Sequence, residues 1–249
     1  MRRNNREWIV LLLWPLPVLS APPPPADDPA AIRVLLAPEL ETTLSSQMNG
    51  TLAELKISLG QKVGRSEVLA RFDCREAQAR AKVAAAEIAL ARQNLEAKRG
   101  LQQLKSAGDL EVAQAATEVE KAEGASALAQ AQSGYCQVTS PFKGHVAKVH
   151  VKPYQTVAAG TPLVDLVSDG ALKVRLNVPS VLMPRLRAGL PLEVRIHETG
   201  KTYPAKVRVV NARVDAVAQT VELEARFDAP VPDLVAGMSG VARIPAAGP

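Results

Sequence analysis

Aromatic residues make up only 3% of the 249-residue chain, so its cores must be built from Val, Leu, Ile and Ala. Two Cys and three His are too few for a dense metal cluster. No apolar run is long enough to cross a bilayer repeatedly, which excludes a polytopic membrane protein. Strong charge of one sign is missing too. The formal charge is +5, of which Arg2, Arg3 and Arg6 against Glu7 contribute +2, and the remaining +3 makes no case for nucleic-acid binding. The chain does have 47% apolar residues, enough to fill one large domain or two to three small ones. Its 19 Pro and 15 Gly imply frequent turns, which suits short strands beside alanine-rich helices.

The N-terminus is built for export. Residues 2–6 are basic, residues 8–14 (WIVLLLW) are apolar, and Val18-Leu19-Ser20-Ala21 offers small residues for cleavage. Pro15 and Pro17 interrupt an apolar stretch shorter than the ~20 residues that span a membrane. Residues 1–20 are therefore expected to be a cleaved signal peptide. An uncleaved one would anchor the chain at the inner membrane. No Cys follows to take a lipid, and Arg2-Arg3 lacks the rest of a twin-arginine signal. Residues 21–31, with Pro22 to Pro25, read as an extended linker.

From Ile32 to Ala70, β-branched residues and Leu are broken by Pro38, Asn49-Gly50, Gly60 and Gly64, a pattern of short strands and turns. From Cys74 some sixty residues lack Pro and are rich in Ala, Glu, Gln, Lys, Arg and Leu, a strong helix composition. Strand-like alternation resumes at Val138. The flanking β segments repeat at an offset of 94 residues: Gly50 falls on Gly144, Gln61 on Gln155, Val63 on Val157 and Leu69 on Leu163. Each copy is too short to bury an apolar face alone, so two hairpin layers are expected to close on one another as a small sandwich. Gly50, Gly60, Gly64, Gly144 and Gly160 are read as its turn residues.

Within the helical block, Ala77, Ala81, Ala84, Ile88, Ala91 and Leu95 step by four and three, as do Val112, Ala115, Val119, Ala122, Ser126 and Ala129. Such spacing makes a heptad-like seam on each helix. Ser106-Ala107-Gly108-Asp109 separates them, with Gly108 suited to a helix C-terminus and Asp109 to an N-cap. The expected product is an antiparallel hairpin projecting from the β body. Residues 75–105 carry seven Lys/Arg and three acids, whereas residues 109–135 carry one Lys and five acids, so pairing sets opposite charges side by side. It also brings Cys74 and Cys136 to the base of the arm. An oxidising compartment favours a disulfide over two reduced, buried thiols. Gly100 and Gly124 are either local bends or tolerated weak points in the helices.

With signal, split repeat and arm in hand, the chain resembles the periplasmic adaptor subunits, or membrane fusion proteins of the HlyD-like family, of bacterial tripartite efflux and type I secretion systems. Asn49-Gly50-Thr51-Leu52, Leu59-Gly60-Gln61-Lys62-Val63, Val68 to Asp73 and Ser140 to Val146 resemble the family's two half-motifs of a biotinyl/lipoyl-like domain. Leu172 to Val178, Val181 to Gly189, Thr220 to Asp228 and Leu234 to Met238 are similar to its β-barrel domain. The resemblance implies a mainly β fold with an inserted coiled-coil hairpin: a lipoyl-like domain over 32–73 and 137–169, a hairpin over 74–136 and a barrel over 170–247. Residues 32–37 are a candidate contribution to the barrel.

The same resemblance implies a periplasmic, oligomeric coupler without chemistry of its own. It would join an inner-membrane transporter, for example of the resistance-nodulation-division type, to an outer-membrane channel. The hairpin tip would meet the channel through Arg99, Leu101, Leu104, Lys105, Asp109 and Leu110, with Asp109-Leu110-Glu111 standing where the family's Ser region falls. Pump contacts are expected from the barrel and lipoyl-like domain. The alternatives are a periplasmic scaffold or secretion accessory and, with less support, a metal-efflux adaptor.

No cofactor, metal site or enzymatic activity is expected. Lys62 and Lys143 lack the Met-Lys or Asp-Lys-Ala context of a lipoyl or biotinyl acceptor, and the arm occupies the place of the acceptor turn. His145 and His150 are five apart on a strand, while Met48, Met183 and Met238 are scattered. No nucleophile elbow or His-Glu-x-x-His pattern is present.

Overall fold

A computed structural model describes residues 32–245, so the expected signal peptide and linker over 1–31 lie outside the described residues. In chain order, the described residues form β1 (Ile32–Pro38), β2 (Glu41–Ser45), β3 (Gly50–Leu55), β4 (Lys62–Val63) and β5 (Val68–Phe72). Two helices follow, α1 (Arg75–Gln103) and α2 (Asp109–Gly134). Next come β6 (Gln137–Thr139), β7 (Gly144–Val149), β8 (Thr156–Val157) and β9 (Pro162–Ser168). The last group is β10 (Leu172–Pro179), a 3-10 segment Ser180–Arg185, β11 (Pro191–Ile196), β12 (Thr202–Asp215), β13 (Thr220–Phe227) and β14 (Ser239–Arg243).

Six of these strands close an antiparallel barrel in the order β1-β10-β13-β12-β11-β14. Alternation along the strands explains it: Val174, Leu176 and Val178 of β10 point inward with Val221, Leu223 and Ala225 of β13, while Arg175 and Asn177 face out. Residues 32–37, assigned from sequence to the lipoyl-like segment with the barrel as the alternative, belong to a barrel strand, Ile32–Pro38. Val34 pairs with Leu176 on one side and Gly240 on the other, and burial of Ile32, Val34 and Leu36 completes the barrel core.

The other eight strands make two facing four-stranded sheets, β2-β9-β7-β4 and β6-β5-β3-β8. This corrects the expectation that each repeat copy forms its own layer. Each sheet takes two strands from each copy, with Lys62 opposite His145 and Gly50 opposite Val157. Neither copy can cover its own apolar face, so exchange of strands closes both at once. The 94-residue offset behaves as a twofold axis. Gly60 N–H donates to Val146 O (2.8 Å) and Tyr154 N–H to Leu52 O (2.9 Å). The sandwich core divides likewise into two clusters, one around Leu52, Phe72, Val157 and Leu163, the other around Val146, Leu166, Val63 and Leu69.

The expected turn glycines separate into different roles. Gly60 and Gly160 hold left-handed turns, φ 76° and 86°. Gly50 and Gly144 instead open strands β3 and β7, and Gly64 N–H donates to the Glu67 carboxylate (2.6 Å). Gly144 is needed for close approach, because a Cβ there would lie 2.0 Å from the Val167 carbonyl oxygen. Among the described residues no helix is long and apolar enough to cross a membrane.

Candidate partner-binding site on the helical hairpin

The arm is anchored where chain leaves and re-enters the sandwich. Cys74 and Cys136 are joined by a disulfide, with Cα atoms 5.8 Å apart, and both are buried in the cluster that holds Leu52 and Phe72. Phe72 N–H donates to Cys136 O (2.9 Å), so the bridge extends the β5–β6 pairing by one step. Beside it a cleft of about 520 Å³ is lined by residues including Asn49, Asp73, Glu76 and Arg80. Its charges are already paired, Asp73 with Arg75 and Glu76 with Arg80.

From this base α1 and α2 pack chiefly on each other. Every expected seam residue is wholly or partly shielded, from Ala77 to Leu95 on α1 and from Val112 to Ala129 on α2. On α1 the seam continues through Lys98 and Gln102, both partly shielded, at unbroken four–three spacing. A sustained 3.5-residue repeat gives coiled-coil packing, and small seam residues let the backbones approach closely. Among the described residues the opposite charges of the two helices meet directly in two ion pairs, Arg92 with Glu123 (2.8 Å) and Lys98 with Glu111 (3.1 Å). Lys121 pairs with Glu118 within its own helix. Both helices run unbroken through Gly100 and Gly124, and a Cβ at either would meet open space, so neither marks a bend.

At the tip the seam turns polar. Gln102 Nε2 donates to Asp109 (2.7 Å), and Lys98 reaches Glu111. The loop differs from expectation at two residues. Helix α1 ends in a Schellman turn, with Lys105 N–H donating to Gln102 O (2.9 Å) and Ser106 N–H to Leu101 O (2.8 Å). The left-handed residue is thus Lys105, φ 56°, and not Gly108. Gly108 is the N-cap of α2, and Asp109 is the first helical residue. Glu111 takes the capping part, accepting from Gly108 N–H (3.2 Å). Its carboxyl is held below the ordinary value of 4.5, first by the Lys98 hydrogen bond and then by Gly108 N–H.

These bonds present an apolar surface. Leu104 is 75% exposed and Leu110 70%, with Leu101 also exposed beside them. Arg99 and Lys105 are exposed and form no ion pair among the described residues. Leucines this open at the far end of a braced rod suit capture of an apolar patch on another protein.

The remaining candidates lie elsewhere. His150 Nε2 is 2.9 Å from Asp165 on the sandwich, and His145 sits opposite Lys62. Lys62 and Lys143 both pair with Asp169. Among the described residues no three His, Cys, Asp or Glu converge as a metal group. A second buried pair was missed by the sequence reading. Ser46 and Ser140 are again 94 residues apart, and each hydroxyl donates to the carbonyl two residues on, Met48 (2.6 Å) and Phe142 (2.5 Å). Their common offset is the signal that could have found them.

Comparison with known proteins places this architecture. The chain is 25% identical over 203 residues to nodulation protein NolF of Rhizobium meliloti, covering 76% of this chain and 55% of that protein. It is 29% identical over 209 residues to multidrug resistance protein MdtA of Pectobacterium carotovorum, covering 75% and 51%. The chain thus spans about half the length of these curated relatives. Among solved structures, the membrane fusion protein Spr0693 of Streptococcus pneumoniae has the same fold with TM-score 0.72 at 20% identity, over 88% of this chain and 99% of that one. A MacA–MexA chimera carrying the Pseudomonas aeruginosa MexA α-hairpin gives 0.76 at 19%, over 86% and 80%. The family model described as the RND membrane fusion protein barrel-sandwich hybrid domain matches residues 41–168, just over half the chain, which covers the sandwich and its inserted hairpin. The chain is therefore a member of the RND-type membrane fusion protein family.

Proposed function

We propose that this protein is a non-catalytic periplasmic adaptor that links an inner-membrane transporter to an outer-membrane channel for efflux or secretion. The hairpin tip would dock on the channel, and the barrel and sandwich would face the transporter. The observation that carries this reading is the exposed leucine cluster Leu101, Leu104 and Leu110, held at the far end of a disulfide-anchored rod. Family membership and the multidrug-resistance name of MdtA support it. Several copies would assemble side by side, since one narrow arm encloses no path. The flanks of the hairpin offer Val83, Leu90 and Leu128 as exposed apolar contacts for that purpose.

The test is site-directed crosslinking in cells. A photo-crosslinker at exposed Arg99 should capture an outer-membrane channel, and Leu104→Asp combined with Leu110→Asp in the same chain should abolish capture while the protein stays folded. Capture that survives the double substitution would remove the tip from the contact. A tagged protein that brings down secretion components without a transporter would favour a scaffold or secretion accessory instead.

A further inference from the structure

The two ends of the barrel carry opposite kinds of surface. At the end where β1 finishes and β10 begins, charges are matched: Glu39 binds Arg226 (2.6 Å) and Arg208 (3.8 Å), Lys206 binds Asp228 (3.3 Å), and Lys201 binds Asp233 (2.9 Å). The other end is formed by the 3-10 segment Ser180–Arg185 and the β12–β13 turn, which are tied together by Ser180 N–H donating to Gln219 O (2.8 Å). There Leu182 and Leu186 turn inward and pack on the barrel core. Val181 faces out at 82% exposure, Met183 is also exposed, and Val217 at the crown of the turn is 97% exposed.

Arginines surround these aliphatic residues. Arg185, Arg187 and Arg213 are all exposed, and none forms an ion pair among the described residues. The nearby acids are engaged: Asp215 accepts from Val217 N–H (2.9 Å) and Ala218 N–H (3.0 Å), and Glu222 binds Arg175. The segment 180–190 contains no acid at all. The chain also enters the barrel at this end, because Ile32 pairs with Ala242 near the far end of β14. Protruding aliphatic side chains ringed by uncompensated arginines match a negatively charged bilayer surface, whose acyl boundary takes the former and whose phosphates take the latter.

We propose that this rim of the barrel is a peripheral membrane contact, with Val217, Val181 and Met183 entering the headgroup region of an anionic bilayer and Arg185, Arg187 and Arg213 pairing with lipid phosphates. The contact adds a lipid partner to the protein partners of the adaptor reading and stands independently of where the hairpin tip docks.

The experiment places an environment-sensitive fluorophore on the full chain at Val217→Cys. The native cysteines are both in the disulfide, so the new thiol labels alone. Vesicles of phosphatidylcholine with phosphatidylglycerol should shift the emission to the blue, and pure phosphatidylcholine should do so far less. Changing Arg185, Arg187 and Arg213 together to Gln should weaken partitioning on the order of a hundredfold, about fivefold for each arginine. The same fluorophore at Gln93→Cys on the arm should stay unchanged, which separates insertion at the rim from adsorption of the whole protein on the vesicle. A silent probe at residue 217 on anionic vesicles would overturn the proposal. So would a response that ignores phosphatidylglycerol or the arginine changes, or one that grows with protein concentration without vesicles, which would make the rim a contact between copies.

Discussion

Tyr154 stands where the twofold relation of the sandwich puts Gly60, and both residues have left-handed backbone, φ 65° and 76°. The relation is reciprocal at the next turn, where Ser66 (φ 63°) answers Gly160 (φ 86°). Each repeat copy thus has glycine at one of its two left-handed positions and a side chain at the other. A non-glycine residue in this region costs roughly 1–2 kcal/mol. Because the Tyr154 ring is 79% exposed, little packing is lost without it. Tyr154→Gly is expected to stabilise the protein by about 1 kcal/mol, read as a higher midpoint in urea. A lower midpoint would mean the ring makes contacts that outweigh the backbone gain.

Gly144 and Gly50 are also related by the offset, but their surroundings differ. A Cβ on Gly144 meets backbone at 2.0 Å, whereas one on Gly50 meets the Phe72 ring edge at 3.3 Å. Gly144→Ala should destabilise by about 3 kcal/mol or more through forced separation of β7 from β9, and Gly50→Ala by clearly less. Equal losses in the two variants, measured by thermal unfolding, would contradict this assignment.

The disulfide closes a loop spanning 62 positions, and in the chain-entropy model this stabilises by about 4 kcal/mol. Cys74→Ala with Cys136→Ala is expected to lower stability by that order. Amide exchange should quicken first at the base of the helices around Arg75 and Tyr135, where the bridge holds them. Uniform loosening of the barrel would show the effect to be unspecific.

Burial pushes the Asp165 carboxyl up, but the Thr43 hydroxyl (2.7 Å) and His150 (2.9 Å) pull it below its ordinary 3.8. A carboxyl with a lowered folded-state value binds its proton more readily in the unfolded chain. Its contribution is therefore complete above about pH 4 and is lost as pH falls through the folded value. Asp165→Asn should reduce stability at neutral pH and flatten the acid limb of the stability curve. An unchanged acid limb would assign the fall to other carboxylates.

The local and periodic features of this fold were legible in the residues themselves. Seam positions such as Ala84, Val119 and Ser126 follow from four–three spacing, and the shared origin of the β segments follows from the Gly50/Gly144 and Gln61/Gln155 offset. The tip leucines were visible for the same reason, since Leu104 and Leu110 flank the break in helical periodicity. The fine structure of that break was not. Lys105 rather than Gly108 takes the left-handed position because the Schellman bonds to Leu101 and Gln102 set where the turn closes.

Sequence alone determined that this chain has a β body with a repeated motif, an inserted pair of helices and two cysteines at their junction, because periodicity and composition act over neighbouring residues. Tertiary structure alone decided that the repeats exchange strands, that Ile32–Pro38 sits between two strands more than a hundred residues away and so belongs to the barrel and not the sandwich, and that unpaired arginines gather round Val181 and Val217 at one rim. Such pairings depend on which apolar faces remain uncovered once every segment has formed. No local pattern carries that information.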